Sequence, residues 1–479
     1  MQETFYWHDY ETFGADPSKD RPSQFAGLRT DFALNVIGEP LVVYCQPQRD
    51  ILPAPEACLV TGITPQQALQ YGVSEPEFIA QIQQQLSAPN TCGVGYNSIR
   101  FDDEVTRYGL YRNFYDPYQR EWQNGNSRWD IIDLLRIARA LRPEGIEWPD
   151  HEPGSPSFKL EHLTAANGID HAAAHDALSD VTATIAMARL VKQTQPKLFD
   201  YVLNNRGKSA VAKIVDLKQR SPFFHCSGML PKANLYSAIM MPLAPHPTNS
   251  NGIICYDLSA DPELLINLDA DQIKQRVFVG AQDLPEGVER IPLKVVHLNK
   301  APVVTTSKVV DSAVSKHLKI DLQRCEQHWQ RLQEVDLEAK LQAVFAAAPF
   351  PPKGEAEQQL YQGFLPNRDK SLLDQIRTAT AEDFTQHNFC FSDSRYNKLL
   401  FNYRARYFPE SLSAQEQAVW LESCRWRLTD AESGYLTVEQ QLSRITNLLS
   451  DPNLPASKRT VLQDLQAWTL SVAEQFAVN

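Results

Sequence analysis

Hydrophobic and polar positions alternate at the start of the chain and later settle into helical spacing. Successive side chains of a strand point to opposite faces, so Phe5, Trp7, Asp9 and Glu11 share one side of an extended stretch. Strands are predicted at 3–9, 33–46 and 91–96, the second running through Leu41-Val42-Val43-Tyr44-Cys45. Helices are predicted at 75–87, 102–112, 130–141, 159–166 and 176–193. In the last of these Leu178, Val181, Ile185 and Ala188 recur at helical spacing, and Pro196 stops it. Interleaved strands and helices predict an α/β domain with a mixed sheet, assigned to residues 1–195.

From about 210 the pattern changes to short extended runs separated by Pro and Gly: Ala210–Leu217, Phe223–Ser227, Gly252–Asp257 and Lys294–Leu298. Such spacing predicts a small β-barrel or sandwich, closed by a helix over 312–347, within a segment 196–349. Consecutive prolines cannot continue a helix, so Pro349-Phe350-Pro351-Pro352-Lys353-Gly354 reads as a linker. The remaining segment, 350–479, is helical in pattern almost throughout. No fixed-period repeat or low-complexity tract is evident.

A chain of 479 residues is too long for one ordinary core, in keeping with several domains. It is 43% hydrophobic and 22% charged, and no apolar run nears the length of a membrane span. No basic stretch followed by an apolar core opens the chain, so no secretory signal is read. The eight cysteines lack C-x-x-C spacing, which argues against a zinc site or disulfide framework and for a reducing cytoplasm. Net charge is −12, yet it is uneven. Residues 1–195 carry 15 Lys and Arg against 26 Asp and Glu, whereas 196–349 carry 18 against 16. An acidic first segment beside a neutral-to-basic middle fits metal carboxylates in one domain and phosphate contacts in another.

Asp9 and Glu11 end an otherwise apolar stripe, where two carboxylates repel unless a cation sits between them. Oxygen ligands of this kind suit Mg²⁺ or Mn²⁺. Further acids follow at Asp102-Asp103-Glu104, where a strand gives way to a helix, and at His175-Asp176-Ala177-Leu178-Ser179-Asp180. Acids at a helix N-terminus are also ordinary caps. Local chemistry therefore leaves Asp102, Asp103 and Glu104 unseparated. By the same pattern His175 falls at the mouth of the last helix, with Asp180 more than one turn inside.

In order and local context, Asp9-x-Glu11, Asp102 and His175-x-x-x-x-Asp180 resemble the DEDDh exonucleases of the ribonuclease H-like, DnaQ-type superfamily. The match narrows to the bacterial exodeoxyribonuclease I family at His8-Asp9-Tyr10-Glu11-Thr12-Phe13-Gly14, Arg100-Phe101-Asp102-Asp103-Glu104 and Leu399-Leu400-Phe401-Asn402-Tyr403-Arg404-Ala405-Arg406. These runs lie in the first and last of the three segments. The resemblance implies a ribonuclease H-like exonuclease domain, a Src-homology-3-like β domain and an all-α C-terminal domain enclosing single-stranded DNA. It implies Asp9, Glu11, Asp102 and Asp180 as ligands of two Mg²⁺ ions, with Mn²⁺ as substitute, and His175 as general base. Asp103, Glu104 and Asp176 stay with capping. Two metals about 3.5–4 Å apart suit in-line attack on a phosphodiester, and a histidine's unperturbed pKa near 6.5 suits proton removal at neutral pH. The activity implied is processive 3′-to-5′ release of 5′-mononucleotides, in DNA repair and recombination, by a cytoplasmic monomer without membrane contact.

Single strands bind through basic grooves with aromatic platforms. Substrate candidates are Glu11, Thr12, Phe13, Arg100, Tyr108 and Lys159. The family also implies docking of the acidic tail of single-stranded DNA-binding protein, with Arg142 the first candidate. Two rivals are an exonuclease of the same class acting on RNA ends or as a proofreader, and a catalytically dead DNA-binding scaffold. The middle and helical segments count against the first, and the complete set of five active-site residues against the second.

Overall fold

The computed structural model describes residues 3–171, 175–346 and 354–478. They gather into two compact units that do not follow sequence order. One comprises 1–127, 172–182 and 351–479, and the other 128–171 and 183–350. All but one residue of the expected linker, Pro349–Gly354, lies outside the described residues.

In the first unit β1 (Thr4–Thr12), β2 (Pro22–Thr30), β3 (Val36–Tyr44) and β4 (Thr91–Gly95) stand in the order β3-β2-β1-β4. β1 pairs antiparallel with β2 and parallel with β4, so the sheet is mixed as expected. A central strand is covered on both faces. Phe5, Trp7, Asp9 and Glu11 share one face as expected, and Tyr6, His8 and Tyr10 on the opposite face are buried as well. Three short elements escaped the sequence reading: β2, α1 (Pro55–Thr61) and α2 (Pro65–Tyr71). Both helices start on a proline, which is tolerated there because the first N–H is unpaired anyway. The predicted helices α3 (Glu75–Leu86) and α4 (Asp102–Arg112) are present, and Ser74 and Glu77 close a capping box on α3. Tyr6, Tyr10, Phe25, Phe78, Ile79 and Ile82 form the core beneath the sheet.

The C-terminal segment is helical, with short 3-10 turns between helices. Leu399, Leu400 and Tyr403 pack on Tyr111 and Phe114, and Trp468, Val472 and Phe476 pack on Leu52. Beneath these apolar contacts lies a buried ion network. Arg21 pairs with Glu357, and its Nε lies 3.7 Å from Glu75, which also takes Arg112 at 2.7 Å. Arg406 pairs with Asp50 at 2.7 Å and with Glu357, while Arg427 reaches Asp50 at 2.8 Å and Glu355 at 3.3 Å. Four guanidiniums thus face four carboxylates. Burial alone would raise Glu357, but Arg406, Arg21 and Arg427 outweigh it and hold the carboxyl well below its usual range. Removing one partner from such a set leaves a buried charge unmatched, at a cost of about 3–5 kcal/mol.

In the second unit β5 (Ser127–Asp130) leads into α5 (Ile131–Leu141), and α6 (Leu160–Ala166) follows. α7 (Ala177–Thr194), whose first six residues belong to the first unit, ends before Pro196, which opens the next helix at its first position instead of merely stopping the last. Five antiparallel strands then form a sheet in the order 293–297, 252–257, 237–245, 223–226, 303–306. Val211, Phe223, Met240, Cys255 and Val296 make its core. The run Ala210–Leu217, expected as a strand, is instead the helix Lys208–Ile214 with Val211 turned inward. The expected helix 312–347 is three: Ser312–Leu318, Leu322–Gln333 and Glu338–Phe345. Lys319 in the left-handed region ends the first, and Asp321 caps the second.

Candidate active site

β1 delivers Asp9 and Glu11 at its C-terminal end, against β2 on one side. The register pairs Asp9 with Ala26 and Glu11 with Gln24, and a bulge after Glu11 turns the chain into the Thr12–Gly14 bend. There the Thr12 hydroxyl donates to the Gly14 carbonyl at 2.7 Å. A Cβ on Gly14 would come within 2.2 Å of the Asp20 carboxylate, which would have to shift to make room.

α4 supplies Asp102 from its first position. The backbone N–H of Tyr10 donates to Asp102 Oδ1 at 3.0 Å, tying this carboxylate to the strand between the two acids of β1. The Thr106 hydroxyl, one turn on, lies 2.8 Å from the Asp102 carbonyl and 3.0 Å from the Tyr10 hydroxyl. The neighbouring acids are engaged elsewhere, which separates the three. Asp103 forms a buried ion pair with Arg120 at 2.5 Å, and Glu104 takes Arg107 at 2.6 Å and the Tyr361 hydroxyl. Both also sit in the first turn of α4, where the helix dipole favours acids. Asp176 does cap, accepting from the Ser179 N–H at 3.1 Å.

His175 and Asp180 come from the entrance and first turn of α7, Asp180 sitting nearer the helix start than expected. His175 holds φ at 68°, in the left-handed region that costs a residue bearing a Cβ roughly 1–2 kcal/mol. Side-chain ligand atoms of Glu11, His175 and Asp180 all lie within 4.8 Å of one another. Glu11 is buried, Asp180 half-buried and His175 exposed.

Burial, then Asp102, Glu11, Asp180 and Asp176, push the Asp9 carboxyl well above its ordinary range. Glu11 is raised to about 8, by burial first and by Asp180, Asp102 and Asp176 after it. Acids repel one another in this way only where the fold holds them together against their charge. The donor set is carboxylate oxygen plus one imidazole, which fits hard divalent cations and leaves soft metals no thiolate.

Among the substrate candidates, two are corrected. Phe13 is 4% exposed and packs with Cys58, Ile63, Ile445 and Leu465; Tyr108 is 5% exposed and meets Tyr361 edge-on. Neither ring offers a face on which a base could stack. Arg100 is exposed. In the second unit Lys159 is exposed beside Glu161 at 3.5 Å. Arg142, at the end of α5, is exposed and donates to the Leu141 carbonyl at 2.5 Å; no carboxylate among the described residues is within ion-pair reach of it. Sequence reasoning missed Gln24. It is polar, 1% exposed and opposite Glu11, but it stands in a strand whose Pro and Gly hid its periodicity.

Three family models match the chain: Exonuclease over 6–188, Exonuclease I SH3-like domain over 206–347 and Exonuclease I C-terminal domain over 354–472. A Haemophilus influenzae exodeoxyribonuclease I is 44% identical over 98% of both chains. A crystal structure of an E. coli exonuclease I–single-stranded DNA complex in its zinc-bound form superposes with a TM-score of 0.94. It is 43% identical and covers 99% of this chain and 100% of the other. An SSB/exonuclease I structure with a bound inhibitor superposes at 0.90, with 42% identity over 98% of this chain and 100% of the other.

Proposed function

The chain belongs to the exonuclease I family, and from that premise we propose that Asp9, Glu11, Asp102 and Asp180 hold two Mg²⁺ ions, with Mn²⁺ able to replace them, and that His175 is the general base. The chain is a metal-dependent 3′-to-5′ exonuclease of single-stranded DNA, with a ribonuclease H-like exonuclease domain, an SH3-like domain and a helical C-terminal domain. We place these domains at 1–195, 196–349 and 350–479.

The observation that carries the site reading is the convergence of Glu11, His175 and Asp180 within 4.8 Å, beside an Asp9 whose charge is suppressed by three other acids of the set. Bound divalent cations would supply Lewis acidity to the scissile phosphodiester and offset its developing charge. The protein's own part is positional. The Tyr10 N–H fixes Asp102, the β1–β2 register fixes Asp9 and Glu11, and the first turn of α7 fixes Asp180. His175 takes the proton of the attacking water and, being exposed, passes it on to solvent. Attack at the terminal phosphodiester then leaves a 5′-mononucleotide. Glu11, Thr12, Arg100 and Lys159 are proposed to contact the strand. Processive action, a monomeric state, a cytoplasmic location and service in DNA repair and recombination complete the reading.

Single strands blocked at either end test this directly. A 3′ block should preserve the strand, a 5′ block should leave it open to complete digestion, and blunt duplex should resist. Digestion of the 3′-blocked strand at the rate of the free one would defeat the assigned polarity. Adding excess unlabelled strand after the first turnover separates processive from distributive action.

For the partner, we propose that exposed Arg142 receives a carboxylate of the acidic tail of single-stranded DNA-binding protein. Contacts of this type weaken with salt. Arg142→Ala should lower affinity for a labelled tail peptide by several-fold at low salt, and equal affinity would remove Arg142 from the docking surface.

A further inference from the structure

Gln24 stands opposite Glu11 in the sheet, and its carboxamide oxygen accepts the N–H of Ala177 at 3.2 Å. Ala177 is the first residue of α7, two positions beyond His175. One buried side chain therefore joins the strand that faces Glu11 to the turn that carries His175. On its other side β2 pairs with β3, where Gln24 stands opposite Tyr44.

The backbone shows why such a tie is needed. His175 occupies the left-handed region at φ 68°, a conformation that persists only where surrounding contacts over-determine it. The first N–H groups of a helix have no partner within the helix, so the turn before α7 gains its anchor from outside. Asp180 is different: its own N–H is bonded inside the helix to the Asp176 carbonyl at 3.0 Å, and it keeps its place without Gln24.

We propose that Gln24 is a positioning residue for the reaction, setting the His175 turn against Glu11 through the Ala177 N–H. This rests on the reading of His175 as general base. At 1% exposure Gln24 is assigned no contact with the strand; it acts through the histidine.

Gln24→Met keeps length and bulk but removes acceptor and donor together. Displacements near 1 Å at a reacting group cost on the order of 100-fold, so kcat on a single-stranded oligonucleotide should fall roughly 10- to 100-fold with KM and strand affinity unchanged. Because the effect passes through His175, the Gln24→Met change should cause no further loss in a His175→Ala background. Retention of wild-type kcat overturns the proposal, as does an equal fractional loss in both backgrounds, which is the mark of a merely structural role. If Gln24→Met does not fold by circular dichroism, Gln24→Leu, which likewise lacks the acceptor, is measured in the same two backgrounds and judged by the same criteria. A wild-type rate in His175→Ala alone would instead defeat the site reading. A slow His175→Ala beside an unimpaired Gln24→Met defeats only the role of Gln24.

Discussion

Asp180→Ala and Asp9→Ala are each expected to abolish hydrolysis of single-stranded DNA while leaving its binding intact. Both acids belong to one charge-sharing set, since each contributes to the raised titration of Glu11 or is itself raised by its neighbours. Loss of one removes an oxygen donor from a site whose cations must both stay in place, and each function they supply is worth several kcal/mol. A residual rate near that of the wild type would end the ligand assignment. The same set predicts a stability effect of opposite sign. Glu11 titrates at about 8 rather than its ordinary 4.5, so between those values the folded protein holds a proton that the unfolded chain has lost. Stability without cations therefore falls as pH rises from about 5 to 8. In EDTA the melting temperature should drop over that range, and Mg²⁺ should raise it more at pH 8 than at pH 5. Asp180→Ala should melt higher than wild type in EDTA at pH 8, because a repulsive partner of Glu11 is gone. Activity and stability would then move in opposite directions at one residue.

His175→Ala should lower turnover by roughly 10²–10⁴-fold, the usual worth of a positioned base. Its exposure supplies a second measurement. A small base can reach the space that the ring leaves, so millimolar imidazole should restore part of the lost rate in His175→Ala and none in Asp180→Ala. A His175→Ala rate equal to wild type, or a slowed rate indifferent to imidazole at every concentration, would leave the histidine a structural role only.

The site was readable to the extent that its residues lie close together in the chain and keep a motif. Asp9-x-Glu11 closes a strand, and His175 and Asp180 open a helix, so two short windows contain four of the five residues. Asp102 could not be told from Asp103 and Glu104 by local chemistry. What separates them is distant: Arg120 takes Asp103, Arg107 takes Glu104, and the Tyr10 N–H takes Asp102. Phe13 and Tyr108 look like stacking platforms until their packing partners from the C-terminal segment are known. β2 was missed because Pro22, Gln24 and Gly27 break its apolar alternation, although the strand is buried on both faces and needs none. The helix Lys208–Ile214 was taken for a strand because Val211, Ile214 and Val215 are β-branched, a preference that tertiary packing overrode.

The buried ion network has a bearing on how the protein is made. Its members come from both ends of the chain: Arg21, Asp50, Glu75 and Arg112 are synthesised early, and Glu355, Glu357, Arg406 and Arg427 late. Glu75 and Arg112 pair within the early part, but Arg21 lies 336 residues from Glu357 and Asp50 lies 356 from Arg406. At about 5–20 residues per second these two early charges wait on the order of 20–70 s for their partners. During that wait the first segment carries carboxylates and guanidiniums that it cannot bury without penalty. The strand bearing Asp9 and Glu11 thus emerges from the ribosome well before Arg21 and Asp50 meet the late residues that neutralise them.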